Sequence, residues 1–177
     1  DIGPGWPPWQ RPGMRLLGDG PISLSPEELG GDGWKSTLRS LISGRRGEQT
    51  LILYLALAGA CDGDGAYLLA DGLGGCTEPA RLRLEDLIAF LESQTGRRGQ
   101  PDALLLLDVA WFDSDWALGM IASDFVRRLE GLEGRIASVP GLVVIASAGD
   151  GERSLTSDDP GSTIFGAQAL RGLAGAA

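Results

Sequence analysis

Ala103–Val109 reads ALLLLDV, an apolar run in which hydrophobic and polar residues do not alternate. A strand with one wet face alternates, because successive side chains point to opposite sides of the sheet. A run that does not alternate is covered on both faces, the position of a central strand in a sheet that carries helices. Leu51–Leu57 and Leu142–Ala146 repeat the pattern. Around these runs, apolar residues recur at helical spacing: Trp34, Leu38, Leu41 and Ile42 up to Gly44; Leu84, Leu87, Ile88 and Leu91 up to Gly96; Leu118, Ile121, Ala122, Phe125, Val126 and Leu129; and Phe165, Ala169, Leu170 and Leu173. This order predicts an α/β chain, a three-layer α/β/α sandwich about a mainly parallel sheet. It lines up the C-terminal ends of the three strands along one rim, where open α/β sheets hold their sites.

Leu51–Leu69 is the stretch the rest is organised around. A strand over Thr50–Leu57 is expected to deliver a loop, Gly59-Ala-Cys-Asp-Gly-Asp-Gly65, before a short strand over Ala66–Leu69, with Asp-Gly supplying a tight turn. That loop holds almost no side chain able to do chemistry. Asp62-Gly63-Asp64-Gly65 resembles part of a calcium loop but lacks the third acidic position and the distal Glu, so no calcium site is expected. Residues 1–33, rich in Pro and Gly, read as an extended arm, with Ser25-Pro26-Glu27-Glu28 forming a capping-box turn inside it. Trp6-Pro7-Pro8-Trp9 lacks the PxxP spacing of proline-recognition ligands and is expected to pack the arm onto the body. Residues 34–177 read as the α/β domain, the arm either covering an exposed sheet edge or leaving the sheet one element short.

Charge and residue types narrow the function. The chain has 15 Lys+Arg against 24 Asp+Glu, net −9, with basic residues scattered in pairs, so no nucleic-acid partner is expected. It has no histidine, which removes imidazole bases, Ser-His and Cys-His pairs and His-ligated metals together. Cys61 and Cys76 lack metal-ligand spacing and read as free thiols of a reducing, cytoplasmic compartment. No apolar stretch reaches the roughly 18 residues of a membrane span, so no membrane partner is expected.

Six stretches, in order, resemble the caspase-like cysteine peptidases, in particular bacterial caspase-like domains: Leu53-Tyr54-Leu55 before a small-residue loop, Asp64-Gly65-Ala66-Tyr67-Leu68-Leu69, Leu105-Leu106-Leu107-Asp108, Val143-Val144-Ile145-Ala146-Ser147-Ala148, Ser162-Thr163-Ile164-Phe165 and Gly172-Leu173-Ala174-Gly175. The resemblance runs from about residue 50 to the end. It implies a His at the end of the first strand and a Cys two residues after the Asp of the second, the thiolate attacking a carbonyl while imidazole moves the protons. Those positions fall on Ala58 and Ala110, so both reactive side chains are absent. It also implies backbone oxyanion donors at Gly59 and Ala110, which need no reactive side chain. Asp108 stands where peptidases cutting after Arg or Lys keep an acid in the specificity pocket; as a structural residue it would end a buried strand, hydrogen-bonded to neighbouring backbone. Ser147 would line that pocket or cap a strand. Trp111, Phe112 and Trp116 would form a substrate-facing loop or an aromatic plug, and Cys61 lies within reach as a stand-in thiol, though no histidine could activate it.

The expected function is a catalytically inactive caspase-like domain, a pseudo-peptidase that serves a larger protein as a scaffold, partner-binding or regulatory module with a peptide or protein partner and no cofactor or metal. The alternative is a cysteine endopeptidase of that family whose His/Cys dyad is changed to Ala and which, intact, cleaves after basic residues. A remote third reading is an unrelated α/β binding domain.

Overall fold

Chain segments able to bury two faces come to lie at the centre of a sheet. In the computed structural model, which describes residues 13–16, 28, 31–43, 50–69, 81–95, 102–110, 124–150, 152, 154–155 and 163–173, all three apolar runs are strands of one sheet, the first two central and the third at its edge. They are β2 (Thr50–Asp62), β5 (Asp102–Ala110) and β6 (Leu142–Ala146). β2 pairs in parallel with β5, from Thr50 opposite Asp102 to Ala58 opposite Ala110, and β5 pairs in parallel with β6. β3 (Gly65–Leu69) and β4 (Arg81–Arg83) continue from β2 as an antiparallel meander. β1 (Gly13–Leu16) runs antiparallel to Leu53–Ala56. The order is β4-β3-β2-β5-β6 with β1 also on β2, a mixed sheet in which β2, β4, β5 and β6 share one direction. The chain is of the α/β class.

β1 comes from the Pro/Gly-rich arm. β5 occupies one edge of β2 from Thr50 to Ala58, while β3 takes Ala58–Asp62 on the other edge and β1 takes Leu53–Ala56 beside it. The arm thus covers Leu53–Ala56 of the edge that β3 leaves open, removing backbone groups there that would otherwise be free to pair with another chain.

The loop expected at Gly59–Gly65 is mostly strand. β2 runs on to Asp62, and only Gly63 and Asp64 turn the chain before β3. Two local features allow this. Asp62 Oδ1 accepts a hydrogen bond from the Asp64 backbone N–H at 2.8 Å, an Asx turn that closes the hairpin. Gly65 then takes φ +139°, a conformation side chains rarely allow.

Five helices are described: α1 (Gly33–Ser43), α2 (Leu84–Gln94), α3 (Phe125–Glu130), α4 (Glu133–Ala137) and α5 (Ile164–Leu173). Trp34, Leu38 and Ile42 of α1, Leu84, Leu87, Ile88 and Leu91 of α2, and Phe125 and Leu129 of α3 form one core with the odd-numbered residues of β2 and β5. The Trp34 ring meets Phe90 edge-on at 5.3 Å, tying α1 to α2. Arg135 of α4 reaches Glu92 of α2 at 2.8 Å. α4 was not expected from the sequence, because Ile136 alone cannot make a helical stripe. Thr163 and Gly166, at the start of α5, meet the other sheet face at Tyr54 and Asp108.

β6 departs from the expectation of a doubly covered strand. It is last in the sheet order, and its even-odd exposure alternates, with Val143 54% and Ile145 43% exposed. An apolar run licenses burial of two faces; whether a helix arrives to cover the second is decided elsewhere in the chain. The expectations for Trp6–Trp9, Leu118–Ala122, Trp111, Phe112, Trp116 and Cys76, and for the Ser25–Glu28 cap apart from the helical Glu28, lie outside the described residues.

Candidate functional site

Even-numbered residues of β2 and β5 face away from the main core, and the residues singled out by the resemblance fall at the C-terminal ends of the parallel strands. Ala58 and Ala110 are register partners on adjacent strands, which places the two positions side by side at the strand spacing of about 4.8 Å. Asp108 lies two residues before Ala110 and next to Ala56. The Ser147 N–H donates to the Leu107 carbonyl at 2.9 Å, extending the β5–β6 ladder so that Ser147 stands beside Asp108. Ala58, Ala110, Asp108 and Ser147 therefore occupy one corner of the sheet.

Asp108 is 1% exposed and is the hub of that corner. The Tyr54 hydroxyl from β2 and the Thr163 hydroxyl preceding α5 both donate to its Oδ2, and the Ser154 hydroxyl donates to Oδ1 at 3.3 Å. The expected structural role is a strand end bonded to nearby backbone; the partners are instead hydroxyls from three separate parts of the chain. Thr163 also accepts the Gly166 N–H at 2.8 Å, so it caps α5 while holding Asp108. A side chain at position 166 would put its Cβ 2.9 Å from Asp108 Oδ2 and closer still to the Tyr54 hydroxyl. Glycine there lets the helix start descend onto the carboxyl group. Beside this satisfied cluster, the buried Ser147 Oγ has no hydrogen-bond partner among the described residues.

Gly59 and Cys61 occupy the other face. A Cβ at Gly59 would lie 2.8 Å from Phe125 Cγ and nearer to Val109 Cγ1, so a close approach of α3 to β2 already requires glycine at that position. Cys61 is a free thiol packed against the main core, on the face opposite Ala58 and unable to stand in at that corner. Burial, with lesser contributions from Asp124, Asp62 and Glu85, pushes its thiol pKa up against the opposing effect of Arg128. That is the reverse of an activated cysteine.

The hairpin at the end of β2 is a turn device. Among the described residues no group of three or more His, Cys, Asp or Glu side chains could hold a metal ion. The Asp64 N–H bond holds the Asp62 carboxyl below the ordinary aspartate range against the opposing effect of desolvation, with lesser help from Tyr67 and Arg81. Because the folded pKa is depressed, the stabilisation is complete above the unfolded value of about 3.9 and is lost as pH falls through the folded value. The amide shifts of Gly63 and Asp64 are expected to titrate with a midpoint below about 3.9. A midpoint at or above that value would mean that the turn bond does not form in solution.

Sequence reasoning named four members of the corner but missed Tyr54, Ser154, Thr163 and Gly166 as its partners. Thr163 carried a signal, a hydroxyl residue directly before an apolar helical stripe. Ser154 carried none. No described helix is long and apolar enough to cross a membrane. No protein-family model, no curated protein and no solved structure matches the chain.

Proposed function

We propose that this chain is a caspase-like pseudo-peptidase domain, an α/β/α sandwich that binds a peptide or protein partner, or regulates a larger protein, without catalysing hydrolysis. The carrying observation is the register of Ala58 with Ala110 at the ends of neighbouring parallel strands. A His and a Cys at these two positions would stand close enough to share a proton, and the chain has neither there. Helices α1–α3 on one face and the start of α5 on the other support the layered arrangement. Asp108, closed off by three hydroxyls, supports a corner maintained for its architecture.

A second reading is favoured by the same register of Ala58 with Ala110: a cysteine endopeptidase whose dyad has been replaced by alanine and which, intact, cleaves after basic residues. The double substitution Ala58→His, Ala110→Cys separates the two. Assayed on peptides with Arg or Lys before the scissile bond, the pseudo-peptidase is expected to stay silent while its circular dichroism is unchanged. Turnover by the double variant that is absent from the Ala110→Cys single variant would establish the second reading in place of the first.

A further inference from the structure

β1 differs from the other strands in origin and composition. It is four residues long, GMRL, drawn from the Pro/Gly-rich arm, and holds no β-branched or aromatic residue, the types that suit a strand. Residues 17–32 join it to α1, a stretch that reaches up to roughly 50 Å when extended. β1 can therefore leave the sheet without drawing α1 after it. The strand beneath it is of the opposite kind: β2 is central, Leu53 and Leu55 of the covered stretch are buried, and the Tyr54 hydroxyl holds Asp108.

The seat is longer than its occupant. On this edge of β2 the pairing with β3 starts at Ala58, and of the eight residues Thr50–Leu57 before it, β1 pairs with four. Among the described residues no strand pairs with Thr50–Ile52 or Leu57 on that side. An antiparallel ladder adds about one backbone hydrogen bond per residue. A strand that ran the whole seat would therefore make about twice as many as β1.

We propose that Thr50–Leu57 is a strand-acceptor site for a peptide partner and that β1 is its intramolecular cover. An extended segment of the partner, rich in Val, Ile, Thr or aromatic residues, displaces β1 and pairs antiparallel with β2. This names a binding mode for the partner of the proposed function, and it rests on that reading for the partner's existence. β1 itself shows what the site accepts, a short extended segment running antiparallel to β2. Recognition of this kind draws its affinity from main-chain bonds. Tethering gives β1 an effective concentration of order millimolar, and the partner's apparent affinity falls by the fraction of molecules in which the seat is covered. The β1 segment of a second copy is no better a strand and lacks the tether, so the occupant that can win is a different, stronger strand former.

The test is fluorescence anisotropy of a labelled octapeptide of alternating Val and Thr, titrated with the full chain and with its double variant Met14→Pro, Arg15→Pro. The two changes remove adjacent backbone N–H groups of β1, one of which faces β2 because successive residues alternate. The double variant is expected to bind at least tenfold more tightly than the wild type, with an unchanged circular dichroism spectrum. The same peptide N-methylated throughout, which has no N–H to donate, is expected not to bind. In the wild type, saturating peptide is expected to slow hydrogen exchange at Thr50–Leu57 and to speed it at Met14–Leu16. Equal affinity of the two chains, no binding by either, or slowing along β6 in place of β2 overturns the proposal. Slowing along β6 removes this site and spares the partner-binding reading, which falls instead by turnover of the Ala58→His, Ala110→Cys chain.

Discussion

Asp108→Ala is expected to lower the unfolding free energy by about 3 kcal/mol, the loss seen when a buried acceptor of several hydrogen bonds is removed. The carboxyl group is 1% exposed and accepts from Tyr54, Ser154 and Thr163. Truncation leaves three hydroxyls facing a space too enclosed for them to turn freely to water. For a chain of this size the change corresponds to a fall in Tm of roughly 6–12 °C. Tyr54→Phe alone removes one donor and leaves Asp108 two others, so it is expected to cost about 1 kcal/mol. The pair Asp108→Ala, Tyr54→Phe should then be less destabilised than the sum of the singles, because the second change removes a group the first had orphaned. Chemical denaturation of the four proteins measures both quantities. A single Asp108→Ala variant within about 0.5 kcal/mol of wild type would show that the hydroxyl cluster does not hold the corner together.

Gly59→Ala is expected to cost about 2 kcal/mol, in the range for overfilling a packed site. The added methyl group would enter the space held by Phe125 Cγ at 2.8 Å and by Val109 Cγ1. Alanine is the better strand residue by up to about 1 kcal/mol, so the steric term has to exceed that gain. Removing the obstruction checks the cause: with Val109→Ala in place, Gly59→Ala should cost at least about 1 kcal/mol less than it does alone. Strict additivity of the two changes would mean that β2 shifts to accommodate the methyl and that α3 is not seated on Gly59. The result also bears on the backbone-donor role that the family resemblance implies for this residue. A glycine demanded by Phe125 is explained without any reference to catalysis.

The parts of the fold that were legible in the sequence are those decided by local pattern. ALLLLDV could only be a central strand, and the stripes at Trp34–Ile42 and Leu84–Leu91 could only be helices, because periodicity is set by each segment's own geometry. What was not legible depends on distant partners. Gly59 through Cys61 read as a loop because small residues give no strand signal, yet β3, Val109 and Phe125 hold them in β2. Val143 and Ile145 read as buried because they are apolar, and their exposure reflects the position of β6 at the edge of the sheet. In the candidate corner, Ala58 and Ala110 could be placed by resemblance and Asp108 by its position at a strand end. Its three hydroxyl partners come from β2, from the segment after β6 and from the start of α5, a convergence that exists only once the chain is folded.

The two halves of the sheet also differ in how soon they can form. β2, β3 and β4 follow one another, and a turn of two residues brings β2 and β3 together, so this meander closes short loops and can assemble early. The parallel half has to wait. Thr50 pairs with Asp102, and Ala103 with Leu142, each pairing closing a much longer loop before any hydrogen bond repays the entropy. On a chain emerging from a ribosome, the meander would be complete while the strand that brings Asp108 to Tyr54 was still unmade. The polar corner is thus among the last places to take shape, and its hydroxyls close on a carboxyl group that arrives after most of the core has already been committed.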